Sequence, residues 1–133
     1  MSDENPSVNH PTHYQGASEI GKPLLKRHFG LSDDILSGEC INFLESSKQY
    51  CKFHLGNAIK YLWRCGVKGS AKDDLLKALW YLDRWESLEE PWLLRLWDTL
   101  TRSPNLKTRL AVRGLIAEIE NILQSAQDPI DHG

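Results

Sequence analysis

The sequence predicts an all-α protein, a compact bundle of about four to six helices built around a central antiparallel helix pair. Three observations predict it. Apolar residues recur at three- and four-residue steps through most of the chain. Cap and stop residues punctuate those runs at helix-like intervals, and no stretch alternates apolar and polar residues as a half-buried strand would. The 133 residues suffice for one domain with a core, and a hydrophobic fraction of 41% beside 26% charged residues belongs to an ordinary folded chain.

Residues 1–9 are small, polar and acidic and read as a flexible leader. Ser18–Phe29 holds a short helix interrupted at Pro23, and Ser32 or Asp33 caps a further turn before Gly38. In GECINFLESS, Ile41, Phe43 and Leu44 stand near helical spacing. Ser47 then caps a longer helix from about Lys48 to Cys65, with Gly66 as its stop. Ser70-Ala-Lys-Asp73 resembles a capping box with Asp in place of Glu or Gln, so the next helix starts there and runs through Trp85 to about Leu88. The short connection makes these two helices antiparallel neighbours. Pro91 opens a helix carrying Leu93, Leu94, Leu96, Trp97 and Leu100, in which Trp92 and Trp97 suit either the core or a subunit contact. Ser103-Pro104 repeats the start signal for a last helix with Leu106, Leu110, Leu115, Ile116, Ile119, Ile122 and Leu123 on its apolar side. Residues 10–90 thus form the expected principal helical domain, 91–126 a helical extension packed on it, and 127–133 a flexible tail.

A formal net charge of −2 gives the protein no overall attraction for nucleic acid, so duplex binding is not expected and any anion site must be local. Cys40, Cys51 and Cys65 form no CxxC pair, which suits a reducing cytoplasm. No apolar run approaches the roughly 18 residues of a membrane span, and residues 1–13 lack the pattern of a secretory leader, so neither membrane nor export is expected. His10 and His13 with scattered cysteines lack zinc-ligand spacing, no nucleophile motif is present, and GVKGSAK only brushes the P-loop pattern.

One stretch departs from this plain background. HLGNAIKYLWRCGVKGSAKDDLLKALWYLDR, His54–Arg84, holds Lys60, Arg64, Lys68, Lys72, Lys77 and Arg84 against Asp73, Asp74 and Asp83, a local net of +3. At about 100° per residue, Asn57, Lys60, Tyr61 and Arg64 share one sector of their helix, opposite Leu55, Ile59 and Leu62. Lys77, Trp80, Tyr81 and Arg84 share a sector of the next helix with Asp73 and Asp74, opposite Leu75, Ala78, Leu79 and Leu82. Taken singly these are surface cations, with Asp73 and Lys77 an i,i+4 pair worth a few tenths of a kcal/mol. Their company argues otherwise, because tyrosine and tryptophan do not favour water. Cations that grip phosphate beside rings that stack a base, facing a shared cleft between two helices, form a nucleotide-binding chemistry. Asn57 adds an amide able to read a base edge or a sugar hydroxyl.

PTHYQ (Pro11–Gln15), GECINF (Gly38–Phe43), GNAIKYLWRCGVKG (Gly56–Gly69) and DDLLKALWYLDR (Asp73–Arg84) together resemble the small phage-encoded SaV-like family, a mostly uncharacterised group that includes a coliphage nucleotide kinase. The resemblance covers roughly residues 10–86 and is most specific in GNAIKYLWR with the following KALWYL. It implies a viral or prophage origin, hence the host cytoplasm, and phosphoryl transfer to deoxynucleoside monophosphates from a nucleoside triphosphate, with no P-loop and no required metal or other cofactor. On that reading Lys60 and Arg64, with Lys77 and Arg84, supply the positive charge that transfer needs. His13 orients a phosphate or shuttles a proton, or is plain polar surface. Tyr14, Glu39, Asn57, Lys60, Tyr61, Arg64, Lys68, Lys77, Trp80, Tyr81 and Arg84 make up the expected nucleotide site. Glu39 either grips a ribose hydroxyl or simply starts a helix. The expected function is an atypical nucleoside monophosphate kinase or phosphotransferase in a homo-oligomer. The alternatives are a non-catalytic protein that sequesters a nucleotide against host defence, and a helical inhibitor of a host protein.

Overall fold

The computed structural model describes residues 16–88, 96, 99–100 and 104–132, with side chains at 106–125 in the last segment. Six helices are complete among them: α1 (Gly21–Phe29), α2 (Asp33–Leu36), α3 (Cys40–Ser46), α4 (Phe53–Trp63), α5 (Ala71–Leu88) and α6 (Pro104–His132). No strand occurs among the described residues. The expected helix after Pro91 lies outside them, except that Leu96, Thr99 and Leu100 are helical.

Local chemistry accounts for each start and stop. The Ser18 hydroxyl accepts the Gly21 N–H at 3.0 Å, and the Ser18 carbonyl accepts that of Lys22 at 2.8 Å. Pro23 therefore falls in the first turn of α1, where its missing N–H costs no helical bond, and does not interrupt the helix. Gly30 closes α1 at φ 68°. Ser32 caps α2, accepting the Ile35 N–H at 3.2 Å, and Ser70 caps α5, accepting that of Asp73 at 3.2 Å.

Helix α4 starts five residues later than the sequence suggests, at Phe53 rather than Lys48. Ser47 ends α3 and its hydroxyl accepts the Tyr50 N–H at 3.3 Å, holding residues 47–52 in a turn. The turn sends the Tyr50 ring between Phe29 and Phe43, at centroid distances of 5.1 and 5.7 Å. Burying that ring outweighs one and a half turns of exposed helix.

Helices α4 and α5 pack most closely and run antiparallel: Gly66 meets Asp74, Tyr61 meets Lys77 and Phe53 meets Tyr81. Leu55, Ile59, Leu62, Ala78 and Leu82 are wholly buried, with Leu24 and Leu25 of α1 and Leu36 of α2 in the same core. Helix α6 lies across α1 and α5. It buries Val112, Leu115 and Ile119 with Thr108 and Arg109, while Leu110 is 63% exposed. The sequence places Leu110 inward; α6 carries apolar residues on two flanks, and the flank that fits the groove between α1 and α5 is the one stepping through residues 108, 112, 115 and 119. Its helical backbone also continues to His132, past the expected tail boundary at Gln127.

Candidate functional site

The C-terminal half of α4 carries the site, and Trp63 holds it in place. The Trp63 indole is 2% exposed, donates to the Gly38 carbonyl at 3.2 Å and stacks on Phe43 at 5.9 Å and 27°. These contacts clamp α3 beside α4 and leave a recess between them of about 380 Å³. Cys40, Ile41, Leu44 and Trp63 give it apolar walls; Glu39, Lys60, Arg64 and Lys68 stand around it. That volume and mixture suit a small organic anion. A second recess of about 410 Å³ on the other side of α3 is lined by Asp34, Ile35, Gly38, Glu39, Asn42, Phe43, Ser46 and Ser47. It has no cation in its lining and is a poor place for phosphate.

Gly66 turns the chain from α4 into α5 at φ 78°. Its N–H donates to the buried Asp74 carboxylate at 3.0 Å. Asp74 is therefore a structural group 5% exposed, not a member of the exposed sector in which the sequence grouped it.

Tyr61 lies on the α5 flank of α4, away from the recess. Its ring stacks on Tyr81 at 6.0 Å and 14°, and this half-buried pair occupies the place where the sequence put an open cleft. Three cations gather on the same ring: Lys60 Nζ at 4.6 Å from its centroid, Arg64 Cζ at 4.8 Å and Lys77 Nζ at 5.4 Å. None of the three has a carboxylate ion-pair partner among the described residues. Lys77 in particular turns to Tyr61 rather than forming the i,i+4 pair with Asp73. The Arg64 Nε is buried and has no hydrogen-bond partner among the described residues. A buried guanidinium nitrogen in that condition is costly unless an acceptor arrives.

Trp80 extends the aromatic surface, edge-on to Tyr81 at 5.0 Å with Arg84 over its own ring at 5.5 Å. It is 55% exposed, and Phe53, 6.0 Å from Tyr81, is 70% exposed. The amide nitrogen of Asn57 donates to the Phe53 carbonyl at 2.8 Å, so that donor is engaged within its own helix.

The expected site residues thus separate into two groups. Glu39, Lys60, Arg64 and Lys68 meet at the recess, while Tyr61, Lys77, Trp80, Tyr81 and Arg84 form a ridge on the other flank of α4. Lys60 and Arg64 belong to both. His13 and Tyr14 lie outside the described residues. Sequence reasoning passed over Trp63, Ile41 and Leu44 as site residues because apolar helix positions read as core. It also passed over Phe53, which the four-residue stripe Phe53, Asn57, Tyr61 could have flagged.

Burial pushes the Cys40 thiol up from its ordinary value to about 12, with Lys60 opposing the shift. The recess cysteine is therefore a neutral wall group at physiological pH, not a nucleophile. No three His, Cys, Asp or Glu side chains gather as a metal site among the described residues, and no helix there is long and apolar enough to cross a membrane.

Residues 20–83 match the DUF3310 family, described as proteins of unknown function. The matched span takes in α1 to α4 and most of α5, and with them the recess and all of the ridge but Arg84. No curated protein and no solved structure matches the chain.

Proposed function

We propose that the protein binds nucleotides at the α3–α4 recess and acts as a P-loop-less nucleoside monophosphate kinase or phosphotransferase of phage origin, working in the host cytoplasm. The observation that carries the binding reading is the rim of Lys60, Arg64 and Lys68 over apolar walls, with the Arg64 Nε buried and lacking an acceptor among the described residues. An acceptor monophosphate placed there meets charge-assisted donors, and its sugar or base covers Ile41, Leu44 and Trp63. Glu39 stands on the same rim, able to accept a hydroxyl proton from the sugar. In the transfer, an acceptor phosphate oxygen forms a new bond to the terminal phosphorus of the donor. The bond from that phosphorus to the bridging oxygen breaks, and two nucleoside diphosphates leave. Lys60 and Arg64 neutralise the equatorial oxygens as charge spreads over them.

Turnover tests the reading. Purified protein incubated with each deoxynucleoside monophosphate and a nucleoside triphosphate, with and without chelator, is expected to yield diphosphates in both conditions. Tight binding with the nucleotides recovered unchanged would replace catalysis with sequestration. Absence of binding to any nucleotide would remove the proposal.

A further inference from the structure

We infer that the site consists of two subsites on opposite flanks of α4: the recess takes a monophosphate, and the Tyr61 ridge takes the polyphosphate chain of a second nucleotide. The inference rests on the nucleotide reading of the recess and adds the place where the triphosphate donor binds and the residues that hold it.

The division is visible in which side chains go where. The recess is lined by Glu39 and by residues of α3, α4 and the loop after α4, none of them from α5, whereas Lys77 meets the site through the Tyr61 ring. The centroid distances of 4.6, 4.8 and 5.4 Å hold Lys60, Arg64 and Lys77 within about 10 Å of one another. Three cations so close, with no carboxylate paired to any of them among the described residues, repel each other. The face of one tyrosine compensates only part of that repulsion. A single phosphate in the recess engages Lys60 and Arg64 but leaves Lys77 facing the other flank. A chain of linked phosphates supplies several anionic groups at successive positions and can run from Lys77 to the Lys60–Arg64 pair.

The ridge also offers what the rest of such a ligand needs. Trp80 presents an exposed ring beside Tyr81, with the Arg84 guanidinium over it, and a base can stack on that surface. Sharing Lys60 and Arg64 brings the terminal phosphate of the ridge ligand and the phosphate of the recess ligand to the same two cations.

Calorimetric titration of the full chain with a β,γ-methylene nucleoside triphosphate, alone and with saturating deoxynucleoside monophosphate, tests this. The expected result is that saturating monophosphate changes the affinity for the analogue by less than about threefold. Lys77→Ala is expected to weaken the analogue about tenfold or more while moving the monophosphate less than about threefold, and Lys68→Ala to do the reverse. An analogue affinity that falls in proportion to added monophosphate, or a Lys77→Ala loss equal for both ligands, would overturn the two-subsite inference and leave the single nucleotide site standing. Failure of the wild-type chain to bind either ligand would overturn both.

Discussion

Arg64 stands at the meeting of the recess and the ridge, with its guanidinium over Tyr61 and its Nε buried without an acceptor among the described residues. Arg64→Ala and Lys60→Ala are expected to weaken monophosphate binding by about 10- to 100-fold, the range of one charge-assisted phosphate contact of about 1.5–3 kcal/mol. Both variants should keep a thermal midpoint close to that of the wild type, because neither residue belongs to the buried core. Loss of folding in both would make these cations structural. Thiol chemistry gives a second test. Burial raises Cys40 to about 12 and, with the Asp74 charge adding to it, Cys65 to about 11, while Cys51 is exposed. Alkylation near neutral pH followed by peptide mapping should label Cys51 and spare the other two. The placement of Lys60 and Arg64 beside an aromatic ring was legible in the sequence, since it is a matter of spacing. The engagement of Asn57 with its own helix and the burial of Asp74 were not, because both depend on which rotamer the local packing selects.

The cap at Ser70 and the stop at Gly66 follow from side chains acting within one turn, and both were readable from the residues alone. The delayed start of α4 was not, because Tyr50 is drawn out of the helix by Phe29, distant in sequence, together with Phe43 of the preceding helix. Contact between α1 and α4 depends on another long-range approach. A Cβ at Gly21 would lie 1.7 Å from the Leu62 carbonyl oxygen and 2.6 Å from its carbon, both backbone atoms. Gly21→Ala must therefore push α1 away from the C-terminal turn of α4, where Ser18 also donates to the Trp63 carbonyl at 2.7 Å. The expected cost is about 3 kcal/mol, measured by denaturant unfolding. Nucleotide affinity should fall as well, because the displaced turn carries Trp63 and Arg64.

Across the protein, α6 completes the core although it lies beyond the matched residues 20–83. Val112, Leu115 and Ile119 are wholly buried against α1 and α5. A chain ending at Leu88 is expected to lose cooperative thermal unfolding, since those side chains leave an apolar face open on α1 and α5. An intact transition in that fragment would show that α1 to α5 fold alone. Glu118 ties α6 to α1 through Arg27 and through His28, whose Nε2 lies 2.6 Å from Oε1. Hydrogen bonding to Arg27, opposed by partial burial and aided by His28, holds the Glu118 carboxyl below its ordinary 4.5. A lowered carboxyl contributes stability that is full above 4.5 and is lost as pH falls through the lower folded value. Glu118→Gln should lower the thermal midpoint at pH 7 by a few degrees and flatten its decline on acidification below about pH 4.5.

From composition, spacing and cap residues alone come the all-α class, the antiparallel α4–α5 pair and the run of cations among rings, because helical spacing and caps act within a turn or two and the short connection at residues 64–70 leaves the two helices antiparallel. Which flank of α4 opens as a recess could be decided only by three-dimensional packing. Tyr61 and Tyr81 fill the space between α4 and α5, and Trp63, stacked on Phe43 and bonded to Gly38, opens a recess on the other side. Those partners lie about twenty residues apart in the chain, and their meeting depends on how rings share a limited core volume.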